Sequence, residues 1–146
     1  LAAACDFAIA GQSTRFTLAY TAAGLSPDGS STWYLPRLIG LRRAKELMLT
    51  NRMLSADEAC EMGVIDRVVP DDDLYDAALE QAKIFAAGPT KAYGATKRLL
   101  QETWDAGLET QMDRETRSIA ALTRTADAVE GIDGFVNKRK PDFKGR

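Results

Sequence analysis

The sequence has no histidine and only two cysteines among its 146 residues. The absence of histidine excludes Ser-His-Asp and Cys-His catalytic arrangements, and it removes a common metal ligand. Cys5 and Cys60 alone cannot form a four-ligand zinc site or a disulfide framework. We therefore predict no metal site, and any acid–base chemistry must come from a carboxylate, Lys, Tyr, Cys or an organic cofactor.

The sequence also lacks a large charge imbalance and a long apolar run. Lys and Arg number 19 against 21 Asp and Glu, which gives a formal net charge of −2. Such a balance gives no general attraction to nucleic acid or to an anionic membrane. No run approaches the roughly 20 apolar residues that a transmembrane helix needs. The composition is that of a soluble globular protein, and we expect neither a nucleic acid nor a membrane as partner.

The first residues are apolar rather than polar, which is unusual for a true N-terminus. The chain starts at Leu1 with Leu-Ala-Ala-Ala-Cys, and it has no basic start of the kind that a signal peptide needs. We expect the chain to begin inside a structural element of a larger protein.

Hydrophobic spacing predicts short strands early in the chain and helices throughout the rest. Alternating residues predict strands at 6–10 and 15–20, with a further strand at 64–69. Pro36 should limit the first helix to a turn or kink it, and Ser55 with Glu58 has the spacing of a capping box. The fold class is therefore α/β, mostly α in this chain. The predicted helices cover residues 32–39, 41–50, 55–62, 74–87, 90–103, 108–123 and 127–137.

Asp28 is the most informative candidate for chemistry. It stands in the turn Ser-Pro-Asp-Gly at 26–29, just before a predicted helix and among small and apolar residues. One interpretation is structural, because Asp is a favoured helix N-cap and Pro-Asp-Gly is a turn sequence. The other is that its carboxylate faces a pocket between Tyr20, Leu25 and Trp33 and acts as a general base.

Several motifs together resemble the enoyl-CoA hydratase/isomerase (crotonase) superfamily. They are the segment 1–28, Leu-Pro-Arg-Leu-Ile-Gly at 35–40, Ala-Lys-Glu-Leu at 44–47, Val-Val-Pro at 68–70, and the ending Phe-Val-Asn-Lys-Arg-Lys-Pro-Asp-Phe at 135–143. The resemblance covers the whole chain, but only the second part of a family member. It implies the end of a ββα spiral core with the acid-bearing loop at 1–70. It also implies a C-terminal helical layer at 71–146 that contacts CoA and builds a homotrimer or a dimer of trimers.

The resemblance further implies an acyl-CoA substrate, a cytoplasmic location and no cofactor, because CoA is part of the substrate. In this family two backbone N–H groups stabilise a thioester enolate while a carboxylate moves a proton. The hydratases use two Glu, of which one aligns before Leu1 and the other at Tyr20, so paired-Glu hydration is not expected. Asp28 matches the acid of the double-bond-shifting isomerases. It is the predicted catalytic residue, and Tyr20, Leu25 and Trp33 would shape the acyl pocket.

Phe135 and Lys138 match the positions where the family's C-terminal helix offers an aromatic ring and a lysine to CoA. Lysine is a good partner for phosphate. The alternative is a solvated basic tail with Phe135 in the helical core. The apolar stripe at 108–122 and Trp104 indicate core or trimer interface, and the acidic run at 71–73 indicates a solvated helix start.

Two other functions remain open at this point. The 4-chlorobenzoyl-CoA dehalogenases of the same superfamily place a nucleophilic Asp at the position of Asp28 and an aromatic residue at that of Tyr20. The loop at 26–31 looks closer to the isomerases. In a different class, the chain is a non-catalytic oligomerising fragment, because the family's oxyanion donors lie before Leu1. Hydratase activity is the remaining alternative.

Overall fold

Two short strand pairs organise the first part of the chain. In the computed structural model, which describes residues 2–146, β1 (Ile9–Gly11) pairs in parallel with β4 (Arg67–Val69). Strand β2 (Arg15–Phe16) pairs antiparallel with β3 (Leu54–Ser55). By its internal contacts the chain divides into two units, 1–79 and 80–146.

Helices make up most of the remaining structure, at the places where hydrophobic spacing predicts them. Each predicted helix is confirmed, with ends within one or two residues of those expected. They are α1 (Ser31–Ile39), α2 (Leu41–Thr50), α3 (Ala56–Glu61), α4 (Leu74–Ala86), α5 (Thr90–Glu102), α6 (Leu108–Leu122) and α7 (Ala126–Val136).

The strands are shorter than the residue alternation predicts. The strand expected at 64–69 begins only at Arg67, because Val64 and Ile65 lie in the turn that closes α3. Their N–H groups donate to the Ala59 carbonyl at 2.8 and 3.4 Å, and both side chains are buried in the core. Their apolar character therefore reflects burial in a turn rather than a place in a strand.

The strand expected at 15–20 ends at Phe16. The chain then bends into a 3₁₀ turn at Thr21–Ala23, which closes on the carbonyl of Tyr20. The N–H groups of Ala23 and Leu25 both donate to that carbonyl at 3.0 Å. Tyr20 therefore starts a reversal of the chain instead of ending a strand.

Helix α1 runs through Pro36, so of the two alternatives for this proline, a helix limited to a turn is wrong, and a kink stays a prediction. Proline lacks the N–H that would bond to the carbonyl four residues earlier, that of Thr32. Leu35 and Ile39 of this helix are 3% and 7% exposed. Burial of these two side chains stabilises the helix enough to offset one missing hydrogen bond.

The predicted capping box at the start of α3 is confirmed. The Glu58 N–H donates to Ser55 Oγ at 3.2 Å, and the Ser55 N–H donates to Glu58 Oε2 at 2.8 Å. The helix therefore begins at a fixed place beside β3. Its Ala56 and Ala59 join a core cluster contributed by α1, α2, α3 and the segments around them. The members are Ala10, Leu35, Ile39, Ala44, Leu47, Leu54, Ala56, Ala59, Val64 and Ile65.

The second unit buries little apolar surface of its own. Within it, Ala95 is the buried apolar residue, and α5 packs against α6. The apolar stripe of α6 is exposed, with Leu108, Met112 and Ile119 at 72%, 56% and 65%. Of the two alternatives for this stripe, a core within this chain is therefore wrong, and the trimer interface stays a prediction. No helix among the described residues is long and apolar enough to cross a membrane.

Candidate active site

The turn that carries Asp28 is built from two successive residues with left-handed backbone. Gly29 and Ser30 have φ of 58° and 61°, and α1 begins directly after them at Ser31. The backbone N–H and the hydroxyl of Ser31 both donate to the carbonyl of Asp28, at 3.1 and 2.7 Å. The carbonyl of Asp28 thus accepts the hydrogen bonds from the start of the helix, and its side chain takes no part in them.

The carboxylate of Asp28 does not cap α1, so the prediction of a helix N-cap at this residue is wrong, whereas the predicted turn is present. The residue at the N-cap position is Ser30, and no side chain there accepts a hydrogen bond from the first turn. Capping needs a residue immediately before the helix with extended backbone. Two left-handed residues separate Asp28 from Ser31 instead, and the Asp28 side chain is exposed.

Tyr20 is the partner of the Asp28 carboxylate. Its hydroxyl donates a hydrogen bond to Asp28 Oδ1 at 2.7 Å, and its ring is half-buried. The hydrogen bond to the carboxylate, helped by its negative charge, raises the pKa of Tyr20 above the usual 10.0. The phenol therefore keeps its proton and remains a donor at neutral pH.

Leu25 and Trp33 lie on either side of Asp28 in the sequence, and both are exposed, at 63% and 43%. Trp33 stacks under the guanidinium of Arg37, whose carbon lies 3.4 Å from the ring centroid. Arg37 also donates to the Trp33 carbonyl at 2.8 Å. The cation–π contact and this hydrogen bond restrict the ring to one side of α1.

A cavity of about 320 Å³ lies beside the turn that carries Asp28. Gly29 and Ser31, from the turn and the helix start, form part of its wall, together with apolar side chains of β2, α1, α2 and β3. Asp28, Tyr20, Leu25 and Trp33 do not line it. No local pattern in the sequence indicates this cavity, because its walls come from residues separated by tens of positions. Its main apolar side chains are Phe16, Leu18, Tyr34, Leu35, Leu47, Leu54 and Val64.

Phe135 and Lys138 belong to the second unit, at the end of α7. Phe135 is 87% exposed, so the alternative that it packs in the helical core is wrong for this chain. Lys138 has a left-handed φ of 53°, and its N–H donates to the Phe135 carbonyl at 3.3 Å. After this reversal, Arg139 forms ion pairs with Glu130 and Asp133 of α7. The two candidate CoA contacts therefore lie at a turn, and the residue that follows this turn, Arg139, is held to α7 by its ion pairs.

No group of three or more His, Cys, Asp or Glu side chains within residues 2–146 is arranged to hold a metal ion. In the acidic run at 71–73, Asp71 accepts hydrogen bonds from the backbone N–H and hydroxyl of Ser13, each at 3.0 Å. This carboxylate therefore joins two segments of the first unit.

The model of the enoyl-CoA hydratase/isomerase family matches residues 1–146. The chain belongs to the enoyl-CoA hydratase/isomerase family. The 1,2-epoxyphenylacetyl-CoA isomerase of Escherichia coli K12 is 39% identical over 146 residues, which are 100% of this chain and 56% of that protein. The 4-chlorobenzoyl coenzyme A dehalogenase-1 of Arthrobacter sp is 40% identical over 135 residues, covering 92% of this chain and 49% of that protein.

The fold of this enoyl-CoA hydratase/isomerase family member is confirmed by solved structures. The crystal structure of the enoyl-CoA hydratase from Bacillus anthracis matches this chain with a TM-score of 0.90 and 37% sequence identity. The match covers 99% of this chain and 56% of that one. The chain therefore spans about half the length of the relatives that it matches. The predicted crotonase resemblance and the mostly helical α/β class are both confirmed. These relatives are enzymes of three kinds, an isomerase, a hydratase and a dehalogenase, so membership alone selects no reaction.

Proposed function

We propose that this chain is the acid-bearing part of an acyl-CoA isomerase that shifts a double bond in an enoyl-CoA thioester. The observation that carries the proposal is the environment of Asp28. Its carboxylate is exposed, does not cap the adjacent helix, and accepts a hydrogen bond from Tyr20 at 2.7 Å. One carboxylate suffices for a double-bond shift, because the proton it removes from one carbon is returned to another.

In the proposed reaction the Asp28 carboxylate takes a proton from the carbon α or γ to the thioester carbonyl. The C–H bond breaks, an O–H bond forms on Asp28, and the electron pair moves into a thioester enolate. Asp28 then returns the proton to the other carbon and is a carboxylate again, so the cycle needs no oxidant, reductant or other cofactor. We expect the enolate oxygen to be stabilised by backbone N–H groups that precede Leu1 in the family's order.

Other residues would hold the substrate. Leu25 and Trp33 are exposed near Asp28 in the sequence, and they remain the proposed walls for the acyl chain. Phe135 and Lys138 are proposed to contact CoA, with the ring against an apolar part and the ammonium against a phosphate. Their exposure and the fixed turn at Lys138 support this role.

Exchange of substrate hydrogens tests the role of Asp28 directly. The intact protein, with any residues that precede Leu1, is incubated with an enoyl-CoA in D₂O. We expect deuterium at the α and γ carbons, and a decrease in exchange of about 10²–10⁴-fold in Asp28→Asn. Asp72→Asn, which changes another exposed aspartate, is the matched control and should exchange normally. Unchanged exchange in Asp28→Asn would contradict the proposal.

Dehalogenation is the second candidate, supported by the relative from Arthrobacter sp. The carboxylate of Asp28 is exposed, and an exposed carboxylate can also act as a nucleophile. The experiment that separates the two reactions is chloride release from 4-chlorobenzoyl-CoA. Chloride release that depends on Asp28, without deuterium exchange in an enoyl-CoA, would favour this second candidate over the isomerase.

We also propose that the protein forms homotrimers or dimers of trimers. The exposed apolar side chains of the second unit support this, among them Leu108, Met112 and Ile119 of α6. An exposed apolar stripe of this length is typical of an interface between chains. Light scattering of the intact protein measures the assembly, and a monomer at micromolar concentration would contradict it.

A further inference from the structure

We propose that Tyr20 is the positioning residue for Asp28, and that the C-terminal end of α2 holds Tyr20 in place through Thr21 and Asn51. This inference rests on the proposed function, because it assigns Asp28 as the proton carrier. It adds a residue that touches no reacting atom but fixes the carboxylate that does.

The bond between the two side chains leaves one carboxylate oxygen open. Tyr20 donates to Oδ1 of Asp28 at 2.7 Å. Among residues 2–146, Oδ2 of Asp28 accepts no hydrogen bond. With Oδ1 held by the phenol, the second oxygen is the atom that takes and returns the proton. A carboxylate held at one oxygen also has less rotational freedom than a free one, which favours a reactive geometry.

Tyr20 is itself held by the residues that follow it. The hydroxyl of Thr21 lies 2.8 Å from the Met48 carbonyl and 3.0 Å from Asn51 Oδ1. The N–H of Ala22 donates to the same Asn51 oxygen at 3.2 Å. Met48 and Asn51 mark the end of α2, so the turn after Tyr20 is fixed to that helix.

The end of α2 is a firm support because it is tied to the core. Asn51 has a left-handed φ of 55°, which asparagine tolerates better than most residues, and its N–H donates to the Leu47 carbonyl at 3.1 Å. Leu47 is 3% exposed within the core cluster of the first unit. Hydrogen bonds thus connect a buried leucine, through Asn51, to Thr21, which directly follows the tyrosine that holds Asp28.

The kinetic test compares Tyr20→Phe with Tyr75→Phe in the intact protein. Phenylalanine keeps the ring and removes the donor, so we expect kcat to fall about 10- to 100-fold while KM stays within about twofold. Tyr75 is 76% exposed on α4, and its variant should behave as wild type. A normal kcat in Tyr20→Phe would overturn the positioning role, and so would an increase in KM alone.

The support from α2 is tested with Asn51→Gly. Glycine adopts the left-handed backbone at this position freely, so the variant removes the amide oxygen without straining the turn. We expect kcat to fall several-fold with KM unchanged. A wild-type kcat would contradict the anchoring by Asn51.

Tyrosine titration provides a readout that does not require activity. The protein has four tyrosines, and ultraviolet absorbance follows their ionisation. Because the bond to Asp28 raises the pKa of Tyr20, the component of the titration that disappears in Tyr20→Phe should move to lower pH in Asp28→Asn. An unchanged titration in Asp28→Asn would contradict this effect of the carboxylate on Tyr20. The failures are distinguishable, because normal exchange in Asp28→Asn contradicts the proposed function, whereas a normal kcat in Tyr20→Phe contradicts only the positioning role.

Discussion

Asp127 anchors the C-terminal tail to the start of α7, and its replacement should release that tail. The side chain is 5% exposed. Its Oδ1 accepts a hydrogen bond from the Lys144 N–H at 2.7 Å, and its Oδ2 accepts one from the Gly145 N–H at 2.8 Å. The Asp127 N–H donates in turn to the Arg146 carbonyl at 2.9 Å. One buried carboxylate therefore satisfies two backbone donors of the tail.

The isosteric variant Asp127→Asn estimates the strength of this anchor. A hydrogen bond to a charged group contributes about 1.5–3 kcal/mol, and a neutral one about 1 kcal/mol. Asparagine keeps one acceptor oxygen, so one bond becomes neutral, and the other backbone N–H then faces an amide NH₂. We expect the tail to be less stably bound by at least about 2 kcal/mol, which increases its opening at least about 30-fold.

Amide hydrogen exchange measured by mass spectrometry checks this prediction. Peptides covering residues 140–146 should exchange at least about 30-fold faster in Asp127→Asn, while peptides of α2 should be unchanged. Asp142→Asn is the matched control, because that side chain is 76% exposed and pairs with Lys144 at the surface. If exchange of the tail in Asp127→Asn stays within twofold of wild type, the carboxylate does not hold it.

Two further predictions concern stability. Leu47 is 3% exposed, so Leu47→Ala should lower the free energy of unfolding by about 2–5 kcal/mol. The control Leu49→Ala, at a 69% exposed position of the same helix, should change this free energy by less than about 0.5 kcal/mol. Urea denaturation measures both variants. Arg139 and the Asp142 N–H lower the pKa of Glu130 from 4.5 to about 2, so this carboxylate stabilises the tail above pH 4.5 and loses its effect as the pH falls through about 2. Carboxyl chemical shifts should show the pKa of Glu130 returning toward 4.5 in Arg139→Gln.

The sequence predicted the helices well because their signals are local. The spacing of Ala44 and Leu47 sets the buried face of α2, and Ser55 with Glu58 forms the capping box that the spacing indicates. Strands were predicted less well, since apolar residues such as Val64 are equally suited to a buried turn. The family resemblance was also available from the sequence, because its motifs are contiguous.

The candidate site was predictable in its residues but not in its contacts. Asp28 and Tyr20 were identified separately, one as an acid and the other as part of a pocket wall. Their hydrogen bond depends on the reversal at Thr21–Ala23 and on the left-handed Gly24, with φ of 72°. Glycine adopts this backbone readily, but the position of the turn also depends on tertiary anchoring to α2, which no local propensity specifies. The cavity beside the turn was missed for the same reason.

The backbone between Asp28 and α1 decides what the carboxylate can do. A carboxylate that caps a helix has its oxygens occupied by backbone N–H groups, and it is poorly available to a substrate. Because Gly29 and Ser30 both have left-handed backbone, the carbonyl of Asp28 rather than its side chain accepts the hydrogen bonds of Ser31. The side chain of Asp28 is therefore available to Tyr20, whose hydroxyl donates one hydrogen bond to one carboxylate oxygen. The turn thus supplies what a proton carrier requires, a carboxylate fixed at one oxygen and open at the other.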